Sequence, residues 1–327
     1  MTATTQRLRF HGTGGALFGL MLVNALLTAI TFGIYSFWAR SKVRAYLYSE
    51  TELAGDRFGY HGTGGELLRG WLKAMLVMIA LVMAVVLAVI ATTPTPVPGQ
   101  RVQPSPAAVF IQFAYLIALS VLVTIAINGA RRYRLSRSSW RGIRFSYSGR
   151  WQEFLAMNVR GTLLSAVTLG FYSPYFSNQS REFLVRHASF GSLPFDYDAD
   201  GKDLFVSYLK TLLLAIPTLG LSFVWYKAFQ HRYFWSHTTL GPARLSSNVT
   251  GGALLGLAVT NLLLVICTLG IGTPWAMTRM TRFSCDCLTL HGDVDWKTVQ
   301  QQAQLPSATG EGLAQGLDVD VDLGLGM

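Results

Sequence analysis

Apolar residues along this chain gather into six blocks of about 20, separated by stretches rich in arginine and aromatic side chains. The blocks cover residues 16–37, 71–91, 107–128, 154–174, 205–224 and 253–275. At 1.5 Å of rise per residue each reaches across a hydrocarbon core of ~30 Å, so the pattern predicts about six transmembrane helices. The block at 71–91 is the cleanest, its one charge, Lys73, lying at the edge where a long stem lets the ammonium reach water. Blocks 154–174 and 205–224 are weaker, because Arg160 and Lys210 sit inside them and Pro217 interrupts the second. Trp38, Trp71, Tyr172, Tyr175, Trp225 and Trp275 stand at block ends, where amphipathic rings favour the headgroup level.

Aligned with itself, the chain forms a ladder. Thr31 and Gly33 return as Thr168 and Gly170, Thr218 and Gly220, and Thr268 and Gly270, the last three pairs spaced by 50 residues. The same offsets put Tyr46 on Tyr133, Phe183, Tyr233 and Phe283, and Arg57 on Arg7, Arg144 and Arg244. Phe58 and Tyr60 match Phe145 and Tyr147, then Phe195 and Tyr197. The expected fold class is therefore an all-α polytopic membrane protein built from five repeats of ~50 residues, with short β-hairpin-like interfacial loops. One membrane domain over 1–300 divides into units near 1–50, 51–137, 138–187, 188–237 and 238–300, the second carrying an inserted crossing at 92–128. Each unit reads as a polar head, one spanning helix ending near Thr-x-Gly, a basic aromatic segment and a turn. Glycine there weakens a helix by about 1 kcal/mol relative to alanine, which suits a helix end; a break exposing carbonyls to an ion is the alternative.

The likeness to a known family rests on Phe10, His11, Gly12, Thr13, Gly14 and Gly15, on Asn24, and on the run 31–39 from Thr31 to Ala39. Arg44 with Tyr46, and the run 58–67 with Phe58, Tyr60, His61, Gly62 and Glu66, complete it. From about residue 10 to 292 the chain resembles the YjgN-like family of bacterial inner-membrane proteins, a domain of unknown function. The resemblance implies inner-membrane residence and several crossings, and it brings no activity or functional residues. The acidic tail at 301–327 is unmatched and reads as disordered.

Composition narrows the function classes. Only 13% of the 327 residues are charged and 51% are hydrophobic, with mean hydropathy +0.35. Soluble domains carry about 25% charged residues, so an ordinary cytosolic enzyme is excluded. The net charge of +10 needs no nucleic acid, because polytopic proteins concentrate Lys and Arg in cytoplasmic loops. Loops 38–70, 129–153 and 226–252 hold 15 Lys and Arg against 9 in the alternate stretches, which predicts both termini outside. Within the densest basic stretch Arg131, Arg132 and Arg134 are candidate contacts to anionic lipid headgroups, and membrane lipids are the expected partner. Cys267, Cys285 and Cys287 lack a second pair at ligand spacing, and the six histidines show no zinc pattern. No catalytic residue, cofactor or metal is expected, nor enzymatic activity.

Several positions remain as candidates within the membrane. Gly15 with Gly19, and Gly252 with Gly256, have the four-residue spacing that lets helix backbones approach closely in lipid. Asn24 and Asn261 occupy equivalent places in the same helices, for packing or for lining a path. Arg160 is a charge at depth that must face protein, water or a headgroup. Thr63 with Glu66 reads as a capping box, and Asp200 as a helix cap, rather than as phosphate loops. The function expected is a transporter or channel for a small solute or ion; the alternative is a noncatalytic envelope scaffold or lipid-binding membrane module.

Overall fold

The computed structural model describes residues 5–92, 105–296 and 298–301, so the expected disordered tail lies, beyond Gln301, outside the described residues. Helical hairpins alternate with pairs of short strands. β1 (Thr5–Phe10) leads into α1 (Gly14–Ile30) and α2 (Ser36–Ser49), then β2 (Thr51–Leu53) and β3 (Asp56–Tyr60). α3 (Gly64–Thr92) and α4 (Pro106–Arg137) precede β4 (Ser138–Trp140) and β5 (Ile143–Tyr147). Next come α5 (Trp151–Val167), α6 (Ser173–Arg186), β6 (Ala188–Phe190) and β7 (Leu193–Tyr197). α7 (Lys202–Ala215), α8 (Ser222–Ser236), β8 (Thr238–Leu240) and β9 (Ala243–Ser247) follow. The last are α9 (Gly251–Cys267), α10 (Thr273–Asp286) and β10 (Leu288–His291).

Thr-x-Gly reverses the chain between helices. Thr31, Thr168 and Thr268 cap their helices, Thr218 donates in the same way to Leu214 O past the end of α7, and Phe32, Leu169, Leu219 and Leu269 follow in the left-handed region at φ +49 to +51°. The next glycine, at φ +83 to +91°, sends its N–H back to a carbonyl five residues earlier at 2.7–2.8 Å. Such a closure satisfies end carbonyls and needs glycine's freedom at φ > 0. The threonine hydroxyl also accepts from the first turn of the returning helix, as from Tyr35 N at 3.0 Å. The side chain carried between Thr and Gly points away from the protein: Phe32, Leu169, Leu219 and Leu269 are 90–97% exposed.

The strands close into a barrel in the order β1-β10-β9-β8-β7-β6-β5-β4-β3-β2, every neighbouring pair antiparallel. Closure leaves no unpaired edge. Leu8, Phe10, Phe58, Trp140, Phe190, Leu240 and Leu288 fill the interior, and Trp296 meets Trp140 edge-on at 4.7 Å. The helices form a matching ring, each packed on the next, with α10 against α1. Three tryptophans lock adjacent hairpins: Trp38 covers Gly64, Trp225 covers Gly251, and Trp275 covers Gly14, each leaving no room for a Cβ. Arginines of the returning helices add a second link, Arg132 donating to Gly149 O at 2.8 Å and Arg282 to Gly12 O at 2.9 Å.

This architecture overturns the all-α fold with six crossings. Among the described residues, α3 and α4, of 29 and 32 residues, are the helices long and apolar enough to cross a bilayer. α1, α5 and α9 have 17 residues and α7 has 14, about 21–26 Å at 1.5 Å per residue. Hydropathy summed across Thr-x-Gly counts apolar residues on both sides of a chain reversal as one helix. The hairpins are not interfacial loops either, since each pairs with the hairpins before and after it. That pairing also overturns the alternating topology. β5 of the segment expected inside bonds to β6 of the segment expected outside, and backbone hydrogen bonds cannot be made across a bilayer.

Candidate functional site

Each returning helix must satisfy two environments: its first turn follows an exposed apolar tip, and its last turn enters the barrel. α2 accordingly begins with Ser36, Phe37 and Trp38 and continues with Arg40, Lys42 and Arg44. Its inner face, with α1 and α10, borders an open cavity of about 1270 Å³ that runs from Phe32 and Gly33 at the turn to Thr51, Phe58 and Tyr60 at the barrel rim. Among the described residues, the charged side chains lining it are Arg40, Arg44 and Arg134, and much of the remaining wall is apolar, including Met21, Met277 and Met280. Asn24 also faces it, 4% exposed, its Nδ2 without a hydrogen-bond partner.

A second cavity, of about 170 Å³, lies deeper among the barrel aromatics and shares Tyr48, Phe58 and Arg134 with the first. Its charged lining among the described residues is Arg131, Arg134 and Arg181. Arg131 lies over the Tyr147 ring at 5.8 Å and donates to Leu184 O at 3.4 Å. Arg181 is 3% exposed and stacks on Phe234 and Trp235 at 5.6 and 4.8 Å, leaving Nε and Nη2 without partners. Burial, with Arg131 nearby, holds its guanidinium below the usual value. Burial and the same Arg181, with Arg232, push His231 down to about 4. The imidazole is therefore neutral, its Nε2 accepting from Trp235 Nε1 at 3.1 Å and its Nδ1 donating to Ser247 Oγ at 3.0 Å.

Of the sequence candidates, Asn24, Arg131 and Arg134 come together around these cavities. Arg132 ties α4 to the loop before α5. Asn261 donates to Ala276 O at 3.4 Å, and Arg160 is exposed on the outer face of α5 beside Trp151 and Leu163. Gly15, Gly19, Gly252 and Gly256 are exposed with open space beyond each; the glycines in contact are their neighbours Gly14 and Gly251. Thr63 caps α3 by accepting from Glu66 N at 3.3 Å, while the Glu66 carboxylate accepts from Tyr133 and Arg137 of α4 at 2.8 and 2.6 Å. Asp200 accepts from Lys202 N at 3.0 Å, and Gly201 in the left-handed region is the cap of α7.

Sequence reasoning missed Arg40, Arg44 and Arg181. The signal for two of them was present: Arg44, Arg131, Arg181, His231 and Thr281 each stand seven residues before the first residue of β2, β4, β6, β8 and β10. The ladder offsets superpose them, but hydropathy hides them in stretches expected on opposite sides of a membrane.

The sequence matches the model of a bacterial protein family of unknown function (DUF898) over residues 5–225 and 211–316. Inner membrane protein YjgN of Escherichia coli O157:H7 is 34% identical over 141 residues, 42% of this chain and 30% of that protein. Its counterpart in Escherichia coli strain K12 is 32% identical over 161 residues, 49% of this chain and 36% of that protein. The one from Salmonella typhimurium is 44% identical over 70 residues, 21% of this chain and 18% of that protein. The chain thus spans no more than about a third of the length of these curated relatives. No solved structure matches it.

Proposed function

The chain belongs to this DUF898 family of bacterial proteins of unknown function, and from that premise we propose that it is a noncatalytic inner-membrane module that takes an anionic phospholipid into the cavity between α1, α2 and α10. Inner-membrane residence is supported by the names of its relatives and by the apolar tips held outward on four hairpins. α3 and α4 cross the bilayer as a pair, and the four shorter hairpins dip into the leaflet next to the barrel. The barrel and the basic returning helices lie on the cytoplasmic side, as the excess of Lys and Arg favours. The recurrence of helical hairpin and strand pair along the chain supports an origin by internal repetition.

The observation that carries the lipid reading is the wall of the larger cavity. Apolar surface near the hairpin turn suits acyl chains, and Arg40, Arg44 and Arg134 toward the rim suit an anionic headgroup. A solute path along the barrel axis meets the packed Trp140, Phe190 and Trp296 side chains, which sets the transporter reading below this one. The test is lipid retention by the full chain purified from nanodiscs holding equal phosphatidylglycerol and phosphatidylcholine, read by native mass spectrometry. Phosphatidylglycerol should be retained several-fold over phosphatidylcholine, and Arg40→Gln with Arg44→Gln should abolish the preference. Equal retention of both lipids by the parent chain would refute the reading.

A further inference from the structure

We propose that Lys73, Arg160, Lys210 and Arg279 form a belt of cations on the outside of the helix ring, which takes the phosphate groups of the surrounding phospholipid leaflet and so fixes how deep the hairpins sit. The repeat places them at one level. The offsets that superpose the units also align Val23, Lys73, Arg160, Lys210 and Thr260, each the ninth or tenth residue of α1, α3, α5, α7 and α9. Lys73, Arg160 and Lys210 are exposed there, and the Thr260 hydroxyl accepts from Nη2 of exposed Arg279 at 2.9 Å, which brings a guanidinium of α10 to the same height. Val23 leaves α1 apolar at this level.

Helical side chains lean toward the N-terminus of their own helix, so on α3, α5 and α7 these cations reach back from the tips toward the barrel. Beyond them the outer faces carry apolar side chains, with Leu163, Val167, Leu213 and Leu262 60–81% exposed. Lengths fit a leaflet. Arg160, Lys210 and Thr260 each precede the tip residues Leu169, Leu219 and Leu269 by nine residues, about 14 Å, close to half of a ~30 Å hydrocarbon core. From Lys73 to Thr92 at the end of α3 is 19 residues, about 29 Å, one whole core. One plane through the belt therefore puts the hairpin tips at the bilayer midplane and the end of α3 at the far interface. Phosphate is the anion that phospholipids hold at the edge of their apolar region, and guanidinium forks and ammonium groups both pair with it. The belt rests on the leaflet placement in the function proposed above, and not on the lipid assigned to the larger cavity.

The test is the depth of nitroxides on the full chain in nanodiscs of equal phosphatidylglycerol and phosphatidylcholine, read from their accessibility to oxygen against an aqueous nickel complex. Labels go on a Cys267→Ser background, Cys285 and Cys287 being buried. Arg160→Cys, Lys210→Cys and Thr260→Cys should report one level at the phosphates, with Leu169→Cys, Leu219→Cys and Leu269→Cys about 14 Å deeper. Leucine at all four belt cations should sink the Leu169→Cys label by about 3 Å or more, two residues of helix rise, whereas exchanging Arg160→Lys and Lys210→Arg should keep its depth. If the chain without four charges does not reconstitute, Arg160→Leu with Lys210→Leu should sink the label in the same direction. A common belt level with sinking on loss of charge supports the proposal. Belt labels at unequal levels, or midplane tips whose depth ignores the charges, overturn the belt and leave the proposed function standing. Tips reached by the nickel complex overturn the belt together with the leaflet placement, and lipid retention in the Arg40→Gln, Arg44→Gln chain reads the larger cavity separately.

Discussion

Thr268 shows how one hydroxyl joins two helices. It donates to Leu264 O at 2.6 Å, ending α9, and accepts from Gly272 N at 2.7 Å, starting α10. Thr268→Val keeps the shape and removes both bonds, each worth about 0.5–1.5 kcal/mol net, so stability in detergent should fall by about 2 kcal/mol. Leu269 beside it is held at φ +51° and 94% exposed, a conformation that costs a branched side chain about 1 kcal/mol. Leu269→Gly should therefore raise the melting temperature while weakening association with vesicles, since a leucine contributes about 1.5–3 kcal/mol when it leaves water. His231 gives a pH dependence. Its folded pKa of about 4 lies below the ordinary histidine value of 6.5, so the unfolded chain binds the extra proton between those values. Stability from this group is complete above pH 6.5 and declines as pH falls toward 4. His231→Gln should flatten that part of the melting profile; an unchanged acid slope would count against the buried neutral imidazole.

Among the elements, the close approaches expected at Gly15 and Gly252 are made one residue earlier, by Gly14 and Gly251, and Gly19 and Gly256 have open space beside them. Spacing in a sequence identifies small residues, but helix rotation decides which of two adjacent glycines meets the neighbour. Trp225 and Trp275, read from their block ends as headgroup-level rings, lie instead over these glycines. Gly251→Leu must displace Trp225 and should cost about 1–3 kcal/mol of stability, whereas Gly252→Leu, with open space around it, should stay within about 0.5 kcal/mol of the parent. Comparable melting of the two variants would show that the indole moves freely. Helix length was misread for a related reason: composition reports how many residues are apolar, whereas a left-handed pair of residues decides whether they form one helix or two.

For the whole molecule, the closed barrel requires that every strand hairpin lie on one side of the bilayer. Cysteines introduced at Arg57, Ser192 and Pro242, all exposed beside barrel turns, should react with an impermeant maleimide from the same side of the membrane. Labelling of Ser192 from the face opposite to Arg57 would break the barrel. The arginine cluster depends on the same closure. Arg131 and Arg181 lie on α4 and α6, and they meet because the ring and barrel return each hairpin to a common level.

The amino-acid order by itself determined the family, the membrane character, the helix ends at Thr-x-Gly and the recurrence that spaces Thr168, Thr218 and Thr268 by 50 residues. These are local or periodic properties, set by hydropathy and by the backbone demands of glycine. Which helices are long enough to cross, which strands pair and which arginines share a cavity were decided by the tertiary structure. Strands of three to six residues are too short for alternation to reveal their partners. Their ten-membered ring closes only when β1 finds β10, nearly 300 residues away, because an open edge would leave backbone groups unpaired.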